Sequence, residues 1–253
     1  MKLQILNNIA EEGLKLLGDK KFELTSDQNN VSGIVLRSHN LQALEVDSSL
    51  HAIARAGAGT NNININNCSE KGVVVFNTPG ANANAVKEMV VCALILSKRD
   101  LVSGNRNLDS LEIESMDDEE INSKIENMKK EFVGEEVRGK KLSVIGLGAI
   151  GSMVAEQAIT LGMKVQAYDP GLTVDTALGL PSSLERFDSM DSCLNGADYV
   201  SLHIPLNEKT NKIINNDKLS LLNENAVLIN FSRGEIVDEQ HLIEHLDSRK
   251  ILK

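Results

Sequence analysis

The sequence predicts a two-domain α/β protein with parallel sheets, and three observations predict it. Short β-rich runs alternate with helical patterns along most of the 253 residues. A charged stretch of different composition interrupts that alternation near the middle. In the second half, LSVIGLGAIG at 142–151 sets GxGxxG between an apolar run and a helical pattern.

In chain order, strand candidates fall at 3–6, 33–37, 52–56 and 73–77, with helical patterns at 10–17 and 64–71. Such alternation implies parallel strands joined by crossover helices. A longer helical pattern runs over 84–100, with Val86, Val90, Ala93, Leu94 and Ser97 at helical spacing. Between 109 and 136 acidic residues crowd in (Asp117, Asp118, Glu119, Glu120), while Ile121, Ile125 and Met128 keep a helical stripe. A solvated connecting helix is favoured over an acidic interaction surface. From 140 the alternation resumes, with strands at 142–145, 164–168, 199–204 and 226–230 and helices at 150–161, 190–194, 216–222 and 238–246. The expected organisation is a first domain over 1–97, a connecting segment over 98–139 and a second domain over 140–253.

Hydrophobic residues make up 42% of the chain and charged ones 25%, an ordinary globular balance. The net charge of −10 argues against a nucleic-acid partner, because phosphates would be repelled overall. An anionic small molecule needs only a local cationic pocket. The longest apolar run, 89–96, is too short to cross a bilayer, and the N-terminus lacks a secretory pattern. A cytoplasmic protein without membrane contact is expected. Cys68, Cys92 and Cys193 are widely spaced and read as reduced thiols.

In the GxGxxG segment each glycine has its own task. Gly146 allows a sharp turn out of the strand, Gly148 leaves room for a pyrophosphate, and Gly151 allows close helix packing. The helix that follows offers unpaired N–H groups to phosphate. The next strand ends at Asp169, where a carboxylate accepts hydrogen bonds from ribose hydroxyls and repels a 2′-phosphate. The expected cofactor is NAD, in a Rossmann-type domain.

Arg233 follows the strand at 226–230, at the end where open α/β sheets bind ligands; its planar fork suits a carboxylate. On position alone it reads equally as a surface arginine. His203, in the strand-end segment SLHIP, reads as a structural histidine rather than a proton shuttle. His241 and His245 match HxxEH, a zinc pattern, but no third ligand is identifiable and the helix reads as an exposed one, with no metal expected.

Taken together, LRSHN (36–40), ARAGAGTN (54–61), FNTPGANANAVKE (76–88), VIGLGAIG (144–151), YDP (168–170), HIPL (203–206) and NFSRG (230–234) resemble the D-isomer-specific 2-hydroxyacid dehydrogenases, and within them the D-3-phosphoglycerate dehydrogenases. The resemblance covers nearly the whole length. It implies a flavodoxin-like substrate domain and a Rossmann-type, doubly wound dinucleotide-binding domain, with the active cleft between them and the second domain C-terminally incomplete. It implies that Arg233 is the catalytic arginine. It places the Gly57, Ala58 and Gly59 amides on the substrate carboxylate, Arg37 and Ser38 at its phosphate end, and Arg55 as a second cation nearby. Thr78, Ala149, Ile150, Asp169, Ile204, Phe231 and Ser232 match cofactor-contacting positions.

The family's acid/base histidine and its glutamate partner fall beyond Lys253. Binding of NAD with little turnover is therefore expected of this chain. The resemblance implies oxidation of 3-phosphoglycerate in serine biosynthesis by a homodimer. Other D-2-hydroxy acids such as glycerate or lactate, and a dinucleotide-sensing corepressor-like role, are the alternatives.

Overall fold

The computed structural model describes residues 1–27, 29–111 and 116–248. The chain forms two compact units, Met1–Asn82 and Ala83–Lys253. The first contains β1 (Lys2–Ile5), α1 (Glu11–Asp19), β2 (Glu23–Thr25), β3 (Gly33–Leu36), β4 (Ala52–Arg55), α2 (Ile65–Glu70) and β5 (Val74–Phe76). Its sheet has the order β2-β1-β3-β4-β5, every pair parallel. This is the flavodoxin-like order, and chain direction across it reverses between β1 and β3. Leu36 and Ile53 are fully buried in a core completed by Ile34, Leu41, Ile63 and Val73. β2 has no counterpart in the sequence reading: it is three residues long, at a sheet edge, with Glu23 exposed, so it carries neither a long run nor alternation.

The second unit opens with α3 (Ala83–Leu96), α4 (Leu101–Asp109) and α5 (Asp118–Glu131). Strands β6 (Lys141–Ile145), β7 (Lys164–Tyr168), β8 (Glu185–Arg186), β9 (Tyr199–Leu202) and β10 (Val227–Asn230) follow. Between them lie α6 (Ala149–Thr160), α7 (Val174–Leu178), α8 (Met190–Leu194) and α9 (Asn216–Leu219), with α10 (Glu239–Asp247) at the end. The order β10-β9-β6-β7-β8, all parallel, is the doubly wound dinucleotide arrangement, with its switch point between β6 and β9.

The two-residue period of β6 serves both faces. Leu142 and Val144 join a cluster with Val154, Ala155 and Ala158 of α6, while Ile145 joins Met190, Leu194, Val200 and Leu202 on the other side. Val90 and Leu94 of α3 are fully buried in the first of these clusters. The helix that the sequence reading gave to the first domain thus packs in the second unit, because its apolar stripe meets α6.

The acidic run at 117–120 builds a helix start. Asp117 accepts a 2.9 Å hydrogen bond from the Glu120 N–H, and Asp118 to Glu120 occupy the first turn of α5. Lys129 and Lys130 occupy its last turn, so both ends suit the helix dipole. Among the described residues no helix is long and apolar enough to cross a membrane. All three cysteines are free, and burial pushes the Cys193 thiol up to about 12.

Candidate functional site

The glycine loop lies at the switch point of the second sheet. Gly146 leaves β6 at φ +97°, and a Cβ there would stand 2.6 Å from the His203 carbonyl oxygen. Only glycine meets both conditions. A Cβ on Gly151 would overlap the Gly146 carbonyl oxygen, so α6 packs directly on the loop. Gly148 differs: a Cβ there would meet nothing within 4 Å. Its open side lies before the first turn of α6, where the Ala149 and Ile150 N–H groups have no acceptor among the described residues. An open cradle lined by helix N–H donors fits a pyrophosphate.

Asp169 braces the same loop. Its Oδ2 accepts from the Leu147 N–H at 2.7 Å and its Oδ1 from the Gly171 N–H at 2.7 Å. A carboxylate has about four acceptor positions, so capacity for ribose hydroxyls is left.

At the end of β9, Ile204 lies against Gly146, and the imidazole of His203 hydrogen-bonds through Nε2 to Ser201 Oγ at 2.8 Å. Burial pushes His203 down to about 4, which keeps it neutral near pH 7. The unfolded chain binds this proton near 6.5 and the folded chain only near 4. Stability is therefore fully present above about 6.5 and is lost as pH falls toward 4, by about 3 kcal/mol. Urea midpoints measured across that range for the parent and for His203→Asn test this. The parent is expected to lose stability more steeply; parallel profiles would refute it.

β10 delivers the arginine. Asn230 Nδ2 donates to the Arg233 carbonyl at 2.7 Å, and its Oδ1 accepts from the Ser232 N–H at 3.0 Å. Ser232 Oγ donates to the Leu202 carbonyl at 2.7 Å, tying this loop to the end of β9. The Arg233 side chain is exposed, its Nη1 on the Ser232 carbonyl at 2.8 Å, and Phe231 beside it is 43% exposed. The structure thus brings Gly146, Gly148, Ala149, Ile150, Gly151, Asp169, Ile204, Phe231, Ser232 and Arg233 to one edge, the carboxyl edge of the second sheet.

The remaining candidates gather at the carboxyl edge of the first sheet. Arg37 and Ser38 leave β3 exposed, beside the β1/β3 switch point. The guanidinium of Arg55, at the end of β4, fills the place of a Cβ on Gly57, whose φ is +151°. Arg55 is thereby held against the Gly57–Ala58–Gly59 loop. The Ala58 and Gly59 N–H groups have no acceptor among the described residues. Asn77 Nδ2 donates to the Ala58 carbonyl at 2.8 Å, and the Thr78 N–H donates to the Gly57 carbonyl at 3.0 Å. Thr78 therefore belongs to the first unit.

Sequence reasoning assigned no role to Asn7, Asn62, Asn77 or Asn230, whose amides hold these loops. For Asn7, Asn77 and Asn230 the available signal was an asparagine at or just after a strand end, where its side chain can bond backbone; Asn62 lies in the loop between β4 and α2 and carried no such signal. The HxxEH helix is not wholly exposed: His245 is buried and its Nε2 meets Asn216 Oδ1 at 3.0 Å, which anchors α10 to α9. Among the described residues no cluster of three potential metal ligands is present.

Two family models match the chain: the D-isomer specific 2-hydroxyacid dehydrogenase catalytic domain over residues 5–173 and its NAD binding domain over residues 102–253. A D-3-phosphoglycerate dehydrogenase of Methanocaldococcus jannaschii is 30% identical over 99% of this chain and 47% of its own length. A hydroxypyruvate reductase of Thermotoga maritima is 33% identical over 98% of this chain and 76% of its own length. The chain thus spans about half of the first relative and three quarters of the second. In fold it is similar to the TT0316 protein of Thermus thermophilus, with a TM-score of 0.78 and 22% identity over 98% of this chain and 78% of that one. NAD is the cofactor that the glycine cradle and the matched domain share, and the chain belongs to the D-isomer specific 2-hydroxyacid dehydrogenase family.

Proposed function

We propose that this chain binds NAD and serves the oxidation of 3-phosphoglycerate to 3-phosphohydroxypyruvate, and the reverse reduction, in a cytoplasmic homodimer, with little turnover by the chain alone. The observation that carries the reading is the exposed Arg233, fixed by Asn230 and Ser232 at the same sheet edge as the glycine loop. Bound NAD supplies the hydride acceptor. Gly148, Ala149 and Ile150 would hold its pyrophosphate, and Asp169 its adenine ribose. Arg233 binds the substrate carboxylate and polarises the carbonyl oxygen that forms at C2. In the first unit the Ala58 and Gly59 N–H groups suit a carboxylate, and Arg37 and Ser38 suit the phosphate. The proton of the C2 hydroxyl passes to solvent water in this reading and not to His203, whose Nε2 is engaged by Ser201 and whose imidazole, pushed down to about 4 by burial, is poorly matched to neutral pH. Exposed Met89, Leu101, Val102 and Leu108 on α3 and α4 support a second copy of the chain as partner.

Arg37→Ala tests the phosphate. The lost charge-assisted bonds are worth on the order of 1.5–3 kcal/mol, so affinity of the NADH-loaded protein for phosphohydroxypyruvate should fall tenfold or more. Affinity for hydroxypyruvate should hold. Equal losses for both acids would remove the phosphate from the proposal. The unphosphorylated acid is the second reading, favoured by the likeness to a hydroxypyruvate reductase, and the same titration compares the two directly.

A further inference from the structure

The loop that carries Arg37 is held from two sides by side chains outside it. Asn7 follows β1 in the left-handed region, at φ 66°. Its Oδ1 accepts from the Ser38 N–H at 3.0 Å and from the His39 N–H at 2.6 Å. From the other side, Asn62 Nδ2 donates to the His39 carbonyl at 2.7 Å and to the Arg37 carbonyl at 3.4 Å. Asn62 Oδ1 is buried without a hydrogen-bond partner among the described residues. An amide that leaves its own oxygen unsatisfied while giving its N–H groups to one loop is oriented by that loop.

The peptide groups of 37–39 are thus engaged, while the side chains of Arg37, Ser38 and His39 are all exposed. The bonds are long-range in sequence: Asn7 lies 31 residues from Ser38, and Asn62 lies 23 from His39. The place is the β1/β3 switch point, the general ligand crevice of such sheets.

We infer that Asn7 and Asn62 are positioning residues that fix the 37–39 loop for recognition of the phosphate of a phosphorylated hydroxy acid, a role that rests on the phosphate reading of Arg37. A loop clamped before the ligand arrives loses less freedom on binding, so the clamp acts on the phosphorylated acid selectively.

Substitution at Asn7 separates the bond from the backbone conformation. Asn7→Gly keeps the left-handed φ and removes the acceptor. Asn62→Leu removes the donors. The readout is the affinity of the NADH-loaded protein for phosphohydroxypyruvate relative to hydroxypyruvate, by quenching of NADH fluorescence, with Arg37→Ala alongside. Asn7→Gly and Asn62→Leu should each lower the preference about tenfold. Equal weakening of both acids, or an unchanged preference in Asn7→Gly when Arg37→Ala loses it, overturns the clamp alone. A parent that binds both acids equally overturns the phosphate reading and the clamp together.

Discussion

Gly146→Ala is expected to destabilise the protein severely, whereas Gly148→Ala, two residues along, should leave it folded and unable to bind NADH well. At Gly146 the added methyl meets two penalties. The φ of +97° is unfavourable for an L side chain, and the His203 carbonyl oxygen stands 2.6 Å from the new atom. That oxygen belongs to the backbone and cannot turn away. Strain and overpacking together cost about 2–5 kcal/mol, a fall in Tm of about 5–15 °C in a chain of this size. Gly148 has an ordinary φ of −69°, and a methyl added there would have no atom within 4 Å. Its Ala variant should melt within a few degrees of the parent. The methyl would stand in the cradle before the α6 N–H groups, and NADH affinity should fall about tenfold to a hundredfold. Thermal melts and fluorescence titrations on both variants decide it. A Gly148→Ala protein with parental NADH affinity would move the pyrophosphate elsewhere.

Arg233→Ala should abolish productive binding of the oxo acid while leaving NADH binding unchanged. The guanidinium is exposed, and its hydrogen bond among the described residues runs to the neighbouring Ser232 carbonyl, so little stability depends on it. Two charge-assisted bonds to a carboxylate are worth about 3 kcal/mol or more, so affinity for the oxo acid should fall a hundredfold or more. Arg233→Lys should recover only part of this, because an ammonium cannot match both carboxylate oxygens at once. Asn230→Ala is the informative companion. It keeps the arginine but removes the bonds at 2.7 and 3.0 Å that hold its loop, and should give an intermediate loss. Unchanged oxo-acid affinity in Arg233→Ala would withdraw the arginine from the site.

How much of this was legible depends on the range over which each feature is specified. The glycine loop is a local device: strand, turn and helix lie within 141–160, and the apolar run of β6 with three correctly spaced glycines specifies it without help from the rest of the chain. The place of Asp169, directly after a strand, was legible from the local pattern, and the structure adds that it takes the Leu147 N–H. Arg233 was only half legible. Its place after a strand is local, but the loop's support comes from Leu202, which lies 30 residues before Ser232.

By itself the sequence determined two parallel-sheet units, the glycine turn between strand and helix, and the family, since periodicity, turn chemistry and short motifs are carried by residues close together in the chain. Tertiary structure decided the rest. It gave α3 to the second unit, because burial of Val90 and Leu94 depends on which core accepts them. It added β2 and β8, edge strands of three and two residues whose pairing exists only once β1 and β7 are in place. It made His203 a neutral, Ser201-bonded group, and Asn7 and Asn62 a clamp on the loop of Arg37, since burial and long-range hydrogen bonds arise from packing and register rather than from the order of neighbouring residues.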